Sequence, residues 1–433
     1  MRTSGSPAWI VAAVLLVAFT AIVLVATPWH PFGAERPEMV PADAGRDFTA
    51  AEQADARGYQ SEIRPPAYLN LVVGLAVALV LGLTPLGARL ITAAARPLGG
   101  GWMWQVLLGG LAVLLLMRLA TLPLSAWAES VRRAYGLSTR DWGGWLSDVG
   151  RSLGLQVVGT LAVLLVLVAL ARTFPRGWWL PAAGGAAVLV VALSFAYPVV
   201  VEPVFNRFTP MPEGDLSSSL IELARADGVN VEEVLVADAS RRTTTLNAYV
   251  SGFGATHRIV VYDTLLDRAP EAEVRSIVAH ELGHTVYHDV RNGTLLGALG
   301  AAAGVAVLGG LLSWRWLLER SGSDGAGDPR VIPLVLAIVA VLSLMASPVE
   351  NLISRRVETR ADVHALNLTR DPETFIRMQR NLAVTAYSDP DPPAVLFAAF
   401  ASHPTNAQRI ALARTWARMH GIEEPHDLAG ADR

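Results

Sequence analysis

Seven apolar stretches in this 433-residue chain are long enough, or nearly so, to cross a lipid bilayer. A membrane-spanning helix needs about 20 apolar residues. Hydrophobic residues make up 52% of the chain and charged residues only 17%, against roughly 25% charged residues in ordinary soluble domains. We therefore predict a mainly α-helical, polytopic membrane protein with about seven membrane helices, near residues 8–27, 68–92, 103–124, 153–172, 178–200, 293–317 and 331–349.

The first stretch could instead be a secretory signal, because Arg2 precedes a continuous apolar run. The run is long for such a signal, and no convincing small-residue cleavage site follows it, so we interpret it as a retained span. Arg118 interrupts the third stretch. We favour an arginine that reaches the membrane interface there, and the alternative is a charge that lines an internal cavity.

Two features of the composition exclude classes of site and partner. The chain contains no cysteine, which excludes disulfides, thiolate zinc sites and cysteine nucleophiles. Any metal must therefore be held by histidines and carboxylates. The net charge is −3 and there is no basic field of the kind that binds nucleic acid, so we expect no nucleic-acid partner.

The arginines in the connecting loops indicate which way the chain crosses the membrane. Arg2 alone would favour a cytoplasmic N-terminus. With the N-terminus outside, the inner loops hold more arginines than the outer loops, namely Arg36, Arg46, Arg57, Arg64, Arg132, Arg133, Arg140 and Arg151. The positive-inside bias thus favours an outside N-terminus. This orientation places the region around His280 in the cytoplasm of a multi-pass protein of the cell membrane.

The sequence His280-Glu281-Leu282-Gly283-His284 is an H-E-x-x-H motif. Residues four apart lie on the same face of a helix, so His280 and His284 can direct two imidazoles at one zinc ion. Glu281 then lies beside the open coordination position, where it can take a proton from water. The alternative is a solvated helix with two incidental histidines. The flanks favour a buried helix, because Pro270 suits a first turn and apolar residues follow at helical spacing.

A catalytic zinc usually has three protein ligands and a water, so a third ligand must come from elsewhere in the chain. Glu358 is the best candidate, and Asp362, one turn later on the same face, could accept a hydrogen bond from a ligand imidazole. Alternatively, both carboxylates pair with Arg355 or Arg360 on a solvated helix. His288 is a competing ligand, but it lies two turns beyond the first histidine of the motif, too far for a tetrahedral site on one straight helix.

The composition changes near residue 201. We therefore divide the chain into an N-terminal membrane region, 1–200, with about five spans, and a small α+β zinc metallopeptidase region, 201–433, which the spans near 293–317 and 331–349 interrupt. The polar residues 28–67 are predicted to form a loop or a loosely ordered segment. The other predicted elements are a helix at Ser217–Ala226, strands at Val231–Ala237 and Arg258–Tyr262, a strand-like stretch at Asn247–Gly254, a polar helix from near Pro348, and helices within 371–418.

Several motifs occur in order between residues 203 and 410. They are the H-E-L-G-H helix, Pro203–Pro210, Asn247–Tyr249, Val260–Leu265, Asn351–Asp362, and Ser402–Thr405 with Arg409–Ile410. Together they resemble the type I CaaX prenyl protease family, whose members are integral-membrane zinc metalloendopeptidases with seven spans around a chamber. The site that the resemblance implies consists of the ligands His280, His284 and Glu358, the base Glu281, Asp362 behind a ligand, and Asn247 and His403 at the substrate cleft.

Two stretches beside the implied cleft depart from the eukaryotic members of that family. Thr243–Leu246 lacks a histidine that those members carry near Thr245. Thr285–Tyr287 stands where they have a tryptophan-led sequence. The resemblance therefore implies hydrolysis, but it does not by itself carry over a specificity for prenylated peptides.

These features predict a membrane-embedded zinc endopeptidase that cleaves membrane-associated or lipid-modified, CaaX-like proteins. Glu281 would transfer the proton, and His403 would donate to the oxyanion or have only a structural role. Asn247 could hold an extended substrate backbone, with Tyr249 on the same strand, or could only cap a turn. Arg409 could contact substrate, support His403 or pair with a surface acid. The expected partners are a peptide or protein substrate and membrane lipids, and we expect a monomer.

Two other functions remain as alternatives. The first is a catalytically inactive membrane chaperone or binding protein that keeps the fold, which the presence of three ligands and the base argues against. The second is a transporter with incidental motifs, which predicts that no metal is bound.

Overall fold

The computed structural model describes residues 7–252 and 257–429. Arg2, which bears on the orientation of the first span, lies outside these ranges. So do Phe253 and Gly254, the end of the stretch that we predicted to be strand-like.

Long helices dominate the described residues. In chain order the helices are α1 (Pro7–Ala26), α2 (Ala44–Asp47), α3 (Ala50–Gly82), α4 (Pro85–Ala95), α5 (Trp102–Trp104), α6 (Gly110–Ala134), α7 (Trp142–Thr173), α8 (Trp179–Ala196), α9 (Glu202–Phe205), α10 (Asp215–Ala226), α11 (Asp263–Arg268), α12 (Glu271–Val286), α13 (Asp289–Leu311), α14 (Arg315–Ser321), α15 (Ile332–Thr369), α16 (Pro372–Thr385), α17 (Ala394–Phe400) and α18 (Asn406–Met419). Two π-helical turns, Gln105–Gly109 and Tyr197–Val201, join α5 to α6 and α8 to α9.

Within the described residues, seven helical stretches are long and apolar enough to cross a membrane, as predicted. They are Pro7–Ala26, Ala50–Gly82, Trp102–Ala134, Trp142–Thr173, Trp179–Phe205, Asp289–Leu311 and Pro329–Thr369. Two predicted boundaries are wrong. The stretch 68–92 is two helices, because Thr84 caps a new helix that begins at Pro85. Proline suits the first position of a helix, since it has no backbone N–H that would be left without a partner there. The stretch 293–317 ends at Leu311, and α14 is separate.

The prediction of a loop over residues 28–67 is wrong from Ala50 onward, because α3 begins there, well before the apolar part of the span. Thr49 and Glu52 form a capping box, in which each side chain bonds to the other residue's backbone N–H. The segment before the helix is also fixed in place. Asp47 and Arg414 of α18 form an ion pair in which both side chains are only 2% exposed.

In the part of the chain that the structure describes, four strands form a small sheet in the order β1-β2-β4-β3, with β1 (Phe208–Pro210), β2 (Val231–Ala237), β3 (Ala248–Ser251) and β4 (His257–Tyr262). β2 and β4 run parallel, and β3 pairs antiparallel with β4. Alternate residues of β3 and β4, such as Ala248 and Ile259, pack with Val274 and Val278 of α12 in one apolar core. The sheet thus supports α12, and β3 is its edge strand beside that helix.

The last membrane span and the predicted polar helix that follows it are one element, α15, of 38 residues. Pro348 lies inside this helix and does not end it. Glu358 and Asp362 lie on its C-terminal part, which packs against α12. The helices predicted within 371–418 are present as α16, α17 and α18.

Candidate metal centre

The H-E-x-x-H motif lies in the second half of α12, a 16-residue helix that begins after Pro270 with Glu271 and Glu273 in its first turn. Carboxylates at this end favour the helix because they face the positive end of its dipole. The helix places the two imidazoles on one face. The Nε2 atoms of His280 and His284 are 3.2 Å apart.

Glu358 reaches both imidazoles from α15. Its Oε2 lies 3.2 Å from Nε2 of His280, and its Oε1 lies 3.6 Å from Nε2 of His284. The ligand atoms of these three residues all lie within 4.8 Å of one another, and no other such group of potential ligands occurs within residues 7–252 and 257–429. Donors around a tetrahedral zinc with bonds of 2.0–2.1 Å would be separated by about 3.3 Å. The observed spacing therefore fits one cation between the three side chains.

The opposite ring nitrogens of both histidines also face carboxylates. Nδ1 of His280 lies 2.9 Å from Asp362, and Nδ1 of His284 lies 3.0 Å from Asp289. With both Nδ1–H groups donating to carboxylates, both Nε2 atoms present lone pairs toward each other and toward Glu358. Three acceptors that converge in this way require a positive charge between them. The donor set therefore fits a metal ion, and imidazole and carboxylate are ligands that zinc accepts.

The carboxylate that supports His280 is fully buried. Asp362 has no exposed side-chain surface, and Arg409 of α18 donates to it from Nε over 2.9 Å. Burial by itself would lower the pKa of His280, but hydrogen bonds to Asp362 and Glu358 outweigh it and raise the pKa from 6.5 to about 10. A metal cation that binds at this point therefore has to displace a proton from His280. Arg409, a candidate for substrate contact, is placed against Asp362 with 11% of its side chain exposed.

His284 has a support of its own, separate from that of His280, and the sequence analysis did not predict it. Its carboxylate partner, Asp289, is the first residue of α13, and Asp289 is in turn paired with Arg360 of α15. The guanidinium of Arg360 also lies over the ring of Tyr287, 4.2 Å from its centroid. Between α12 and α13, His288 has a left-handed backbone (φ 56°), which turns the chain so that Asp289 faces back to the motif. His288 itself is not part of the ligand group.

Glu281 follows His280 on α12 and is influenced by the charges of both histidines and of Glu358. Burial raises its pKa, and the charges of His280 and His284 act in the opposite direction. A carboxylate with a raised pKa is a better proton acceptor near neutral pH than an exposed one. The position and environment of Glu281 therefore suit acid–base chemistry.

The remaining candidate residues lie at different distances from this centre. His403, in the loop between α17 and α18, has its Nε2 3.4 Å from Oε2 of Glu358 and a side chain that is 57% exposed. Asn247 is exposed, immediately before β3, and its carbonyl accepts from the backbone N–H of Tyr262. Tyr249 donates to Glu202 over 3.1 Å, away from the ligand group. The structure thus brings His403 to the ligands and engages Tyr249 elsewhere.

Two family models cover most of the chain. Residues 210–417 match the model for peptidase family M48. Residues 34–207 match the model described as CAAX prenyl protease N-terminal, five membrane helices. The ligand group and its supports all fall within the first of these matches.

Relatives among named proteins point the same way. The chain is 33% identical over 298 residues to the uncharacterized metalloprotease YhfN of Bacillus subtilis, covering 68% of this chain and 70% of that protein. It is 26% identical over 315 residues to CAAX prenyl protease 1 of Saccharomyces cerevisiae, covering 68% and 69%. To the CAAX prenyl protease 1 homolog of rice it is 33% identical over 235 residues, spanning about half of each chain (51% and 52%).

The fold also has a counterpart among solved structures. The crystal structure of S. mikatae Ste24p superimposes with a TM-score of 0.74 at 20% identity, covering 95% of this chain and 100% of that one. At this identity the match concerns the fold alone.

Proposed function

The chain belongs to peptidase family M48 as a membrane metalloprotease, and from this premise we propose that it is a zinc endopeptidase acting on membrane-associated or lipid-modified proteins. One observation carries the proposal. His280 and His284 lie on α12, and Glu358 lies on α15, 78 residues after His280 in the sequence. Their potential ligand atoms nevertheless all lie within 4.8 Å of one another. The environment of these atoms favours a cation.

We propose zinc as the metal, with these three side chains as its ligands. A zinc ion bound there would supply Lewis acidity and lower the pKa of a water molecule toward neutrality. Asp362 and Asp289 would hold the two imidazoles in the tautomer that leaves Nε2 free for coordination. The protein's own contribution is thus a fixed ligand geometry with a carboxylate behind each ring.

The proposed catalytic residues surround this ligand set. Glu281 would accept a proton from the attacking water and deliver it to the leaving amine. His403, beside Glu358, would donate a hydrogen bond to the oxyanion that forms on the substrate carbonyl. Asn247 and the free edge of β3 would pair with an extended substrate backbone. Tyr249 would contribute by holding this edge strand to Glu202 rather than by touching substrate.

For substrates we propose peptides or proteins that lie in or at the membrane, among them proteins with a C-terminal lipid group. The names of the yeast and rice relatives support this class. In the same proposal, residues 1–200 form the membrane region, residues 201–433 carry the peptidase chemistry, and the protein works as a monomer surrounded by lipid.

The experiment that tests the proposed function compares the wild type with Glu281→Gln. We expect cleavage of an unfolded or lipidated membrane substrate to fall by about 100- to 10,000-fold, the usual contribution of a general base. The bound zinc should stay at about one ion per chain, because Glu281 is not a ligand. Cleavage that persists at the wild-type rate would refute the peptidase chemistry. A zinc content far below one per chain would favour a transporter or an inactive binding protein.

We further propose that the metal centre faces the cytoplasm of the cell membrane. Glu373 on α16 follows the C-terminal end of the span α15, which is the end that carries Glu358. Glu319 on α14 lies in the connection between the other ends of the spans α13 and α15. Their side chains are 64% and 68% exposed. Because the chain has no cysteine, Glu373→Cys and Glu319→Cys each create a single labelling site. An impermeant maleimide should label intact cells only at position 319, and the reverse pattern would contradict the orientation.

A further inference from the structure

The short helix α17 leads directly into the loop that carries His403. Its sequence, Ala394–Phe400, is apolar, yet none of its seven residues is buried. A helix also leaves its last carbonyl groups without partners in the helix itself. Leu396, Phe397 and Ala399 are only half-buried, so apolar burial holds α17 in part, and its last carbonyls need donors from elsewhere.

These donors come from a row of three polar side chains on α15. Ser347, Asn351 and Arg355 follow at intervals of four residues, so they lie on one face of that helix. Ser347 and Asn351 both donate to the carbonyl of Ala399, over 3.1 and 2.6 Å. We call these three side chains the carbonyl-binding row.

Arg355 makes the contacts of the row that lie nearest to the loop. Its Nη1 donates to the carbonyls of Phe397, over 3.2 Å, and of Ala401. Its guanidinium also lies over the ring of Phe397, 4.7 Å from the centroid. Ala401 is two residues before His403, so Arg355 fixes the backbone at the start of the loop.

The other end of the loop is anchored independently. Thr405 forms a capping box with Gln408 at the start of α18. His403 thus lies between two fixed points four residues apart. The same helix that carries the row also carries Glu358, one turn beyond Arg355. The rigid helix α15 therefore sets the distance between His403 and the ligand carboxylate.

We propose that Ser347, Asn351 and Arg355 are positioning residues for catalysis, which hold the C-terminal end of α17 so that the ring of His403 stays beside the metal centre. The inference rests on the proposed function in assigning a catalytic role to His403. It adds that this role depends on side chains of the last membrane span that touch neither metal nor substrate.

The first arm of the test does not depend on activity. Val395 on α17 is 79% exposed, and Val395→Cys creates a unique site for a nitroxide label in a chain without cysteine. Arg355→Met removes the donors at similar side-chain length, and Arg356→Met on the same turn is the matched control. We expect a mobile component in the spectrum with Arg355→Met and none with Arg356→Met. Identical spectra in both backgrounds would overturn the proposal.

The second arm is a double-mutant cycle on peptide cleavage. We expect His403→Ala to lower kcat about 100-fold, as for loss of one oxyanion donor, and Arg355→Met to lower it about 10-fold with little change in KM. If Arg355 acts through His403, the double variant should match His403→Ala within about twofold. Arg355→Lys, which keeps one cationic donor group, should recover part of the loss.

Several outcomes of this arm would overturn the proposal. Fully additive losses would mean that Arg355 acts independently of His403. A fall in zinc content with Arg355→Met would mean that it acts through Glu358 instead. Wild-type kcat in His403→Ala would remove the residue that the row is proposed to position. Cleavage that survives Glu281→Gln would refute the proposed peptidase chemistry itself. The spectra of the nitroxide label could still be interpreted in that case, because they do not depend on activity.

Discussion

The two imidazoles of the metal centre have the same kind of support built from different parts of the molecule. Behind His280, Asp362 and Arg409 come from α15 and α18, and the carboxylate has no exposed surface. Behind His284, Asp289 comes from the start of α13, only five residues further along the chain, and it is 11% exposed. One carboxylate is remote in sequence and has no exposed surface, whereas the other is local and 11% exposed.

The two supports depend on different parts of the fold. The Asp362–Arg409 pair joins the last membrane helix to the C-terminal helices, so it exists only when the peptidase region is fully packed. The Asp289–Arg360 pair joins the first residue of one span to the side of another. Changes in the first support should therefore affect stability together with metal binding, and changes in the second should affect metal binding alone.

The largest effect is expected from Asp362→Ala. It leaves the buried cation of Arg409 without its partner, and breaking a buried pair in this way typically costs about 3–5 kcal/mol. Unfolding in detergent, followed by circular dichroism, should show the loss together with depleted zinc. Asp362→Asn, which keeps an acceptor for His280, should lose less. Unchanged stability in the alanine variant would show that the two supports do not differ in the way burial indicates.

The next effect is a pH dependence that belongs to His280. Its pKa of about 10 in the metal-free protein means that a proton must leave before a metal binds. Zinc affinity should therefore rise about tenfold per pH unit, or about 100-fold from pH 7 to pH 9. The raised pKa also stabilises the metal-free fold in full below pH 6.5, and this contribution is lost as the pH rises through about 10.

Zinc titrations against a competing chelator at pH 7, 8 and 9 measure this dependence, with the chelator's own protonation taken into account. The matched comparison is Asp362→Asn, in which the carboxylate that raises the pKa of His280 is gone. We expect a flatter dependence in that variant. Equal slopes in both proteins would contradict the assignment of the bound proton to His280.

Sequence reasoning located the membrane helices and predicted the grouping of His280, His284 and Glu358 for identifiable physical reasons. A bilayer imposes a minimum apolar length, so the number of spans follows from hydropathy. The four-residue spacings of His280 with His284, and of Glu358 with Asp362, are local properties of a helix. The polar start of α3 carries no such apolar signal. Its capping box at Thr49 was the only local sign of where the helix begins.

Asp362 was predicted as the acceptor behind a ligand imidazole, but the sequence did not predict the pairing of Asp289 with His284 or of Arg409 with Asp362. Asp289 faces the motif only because His288 adopts a left-handed backbone, and no glycine or proline at that position indicates a turn. A continuous helix would have carried Asp289 away from His284. The pairing of Arg409 with Asp362 spans 47 residues and depends on how α18 packs, which no local pattern encodes.

A smaller effect is expected from Asp289→Ala. Loss of a carboxylate behind a ligand histidine typically lowers metal affinity 10- to 100-fold, and partial exposure favours the lower end, about 10-fold. Water can replace the lost acceptor, so the unfolding transition should move little. Chelator competition measures the affinity, and Asp289→Asn is the conservative variant. An effect on stability as large as that of Asp362→Ala would remove the contrast between the two supports.

The smallest effect is expected from Arg360→Met, which leaves Asp289 in place but removes its cationic partner and the contact with Tyr287. Both side chains of the pair are partly exposed, at 19% and 11%, so solvent screens much of their attraction. Zinc affinity should fall about threefold, in line with an ion pair worth about 0.6 kcal/mol. Arg356→Met, which removes a guanidinium from the same helix, should leave zinc affinity unchanged. A loss equal to that of Asp289→Ala would mean that the carboxylate cannot hold His284 without the arginine, and that the local support is as tightly coupled as the buried one.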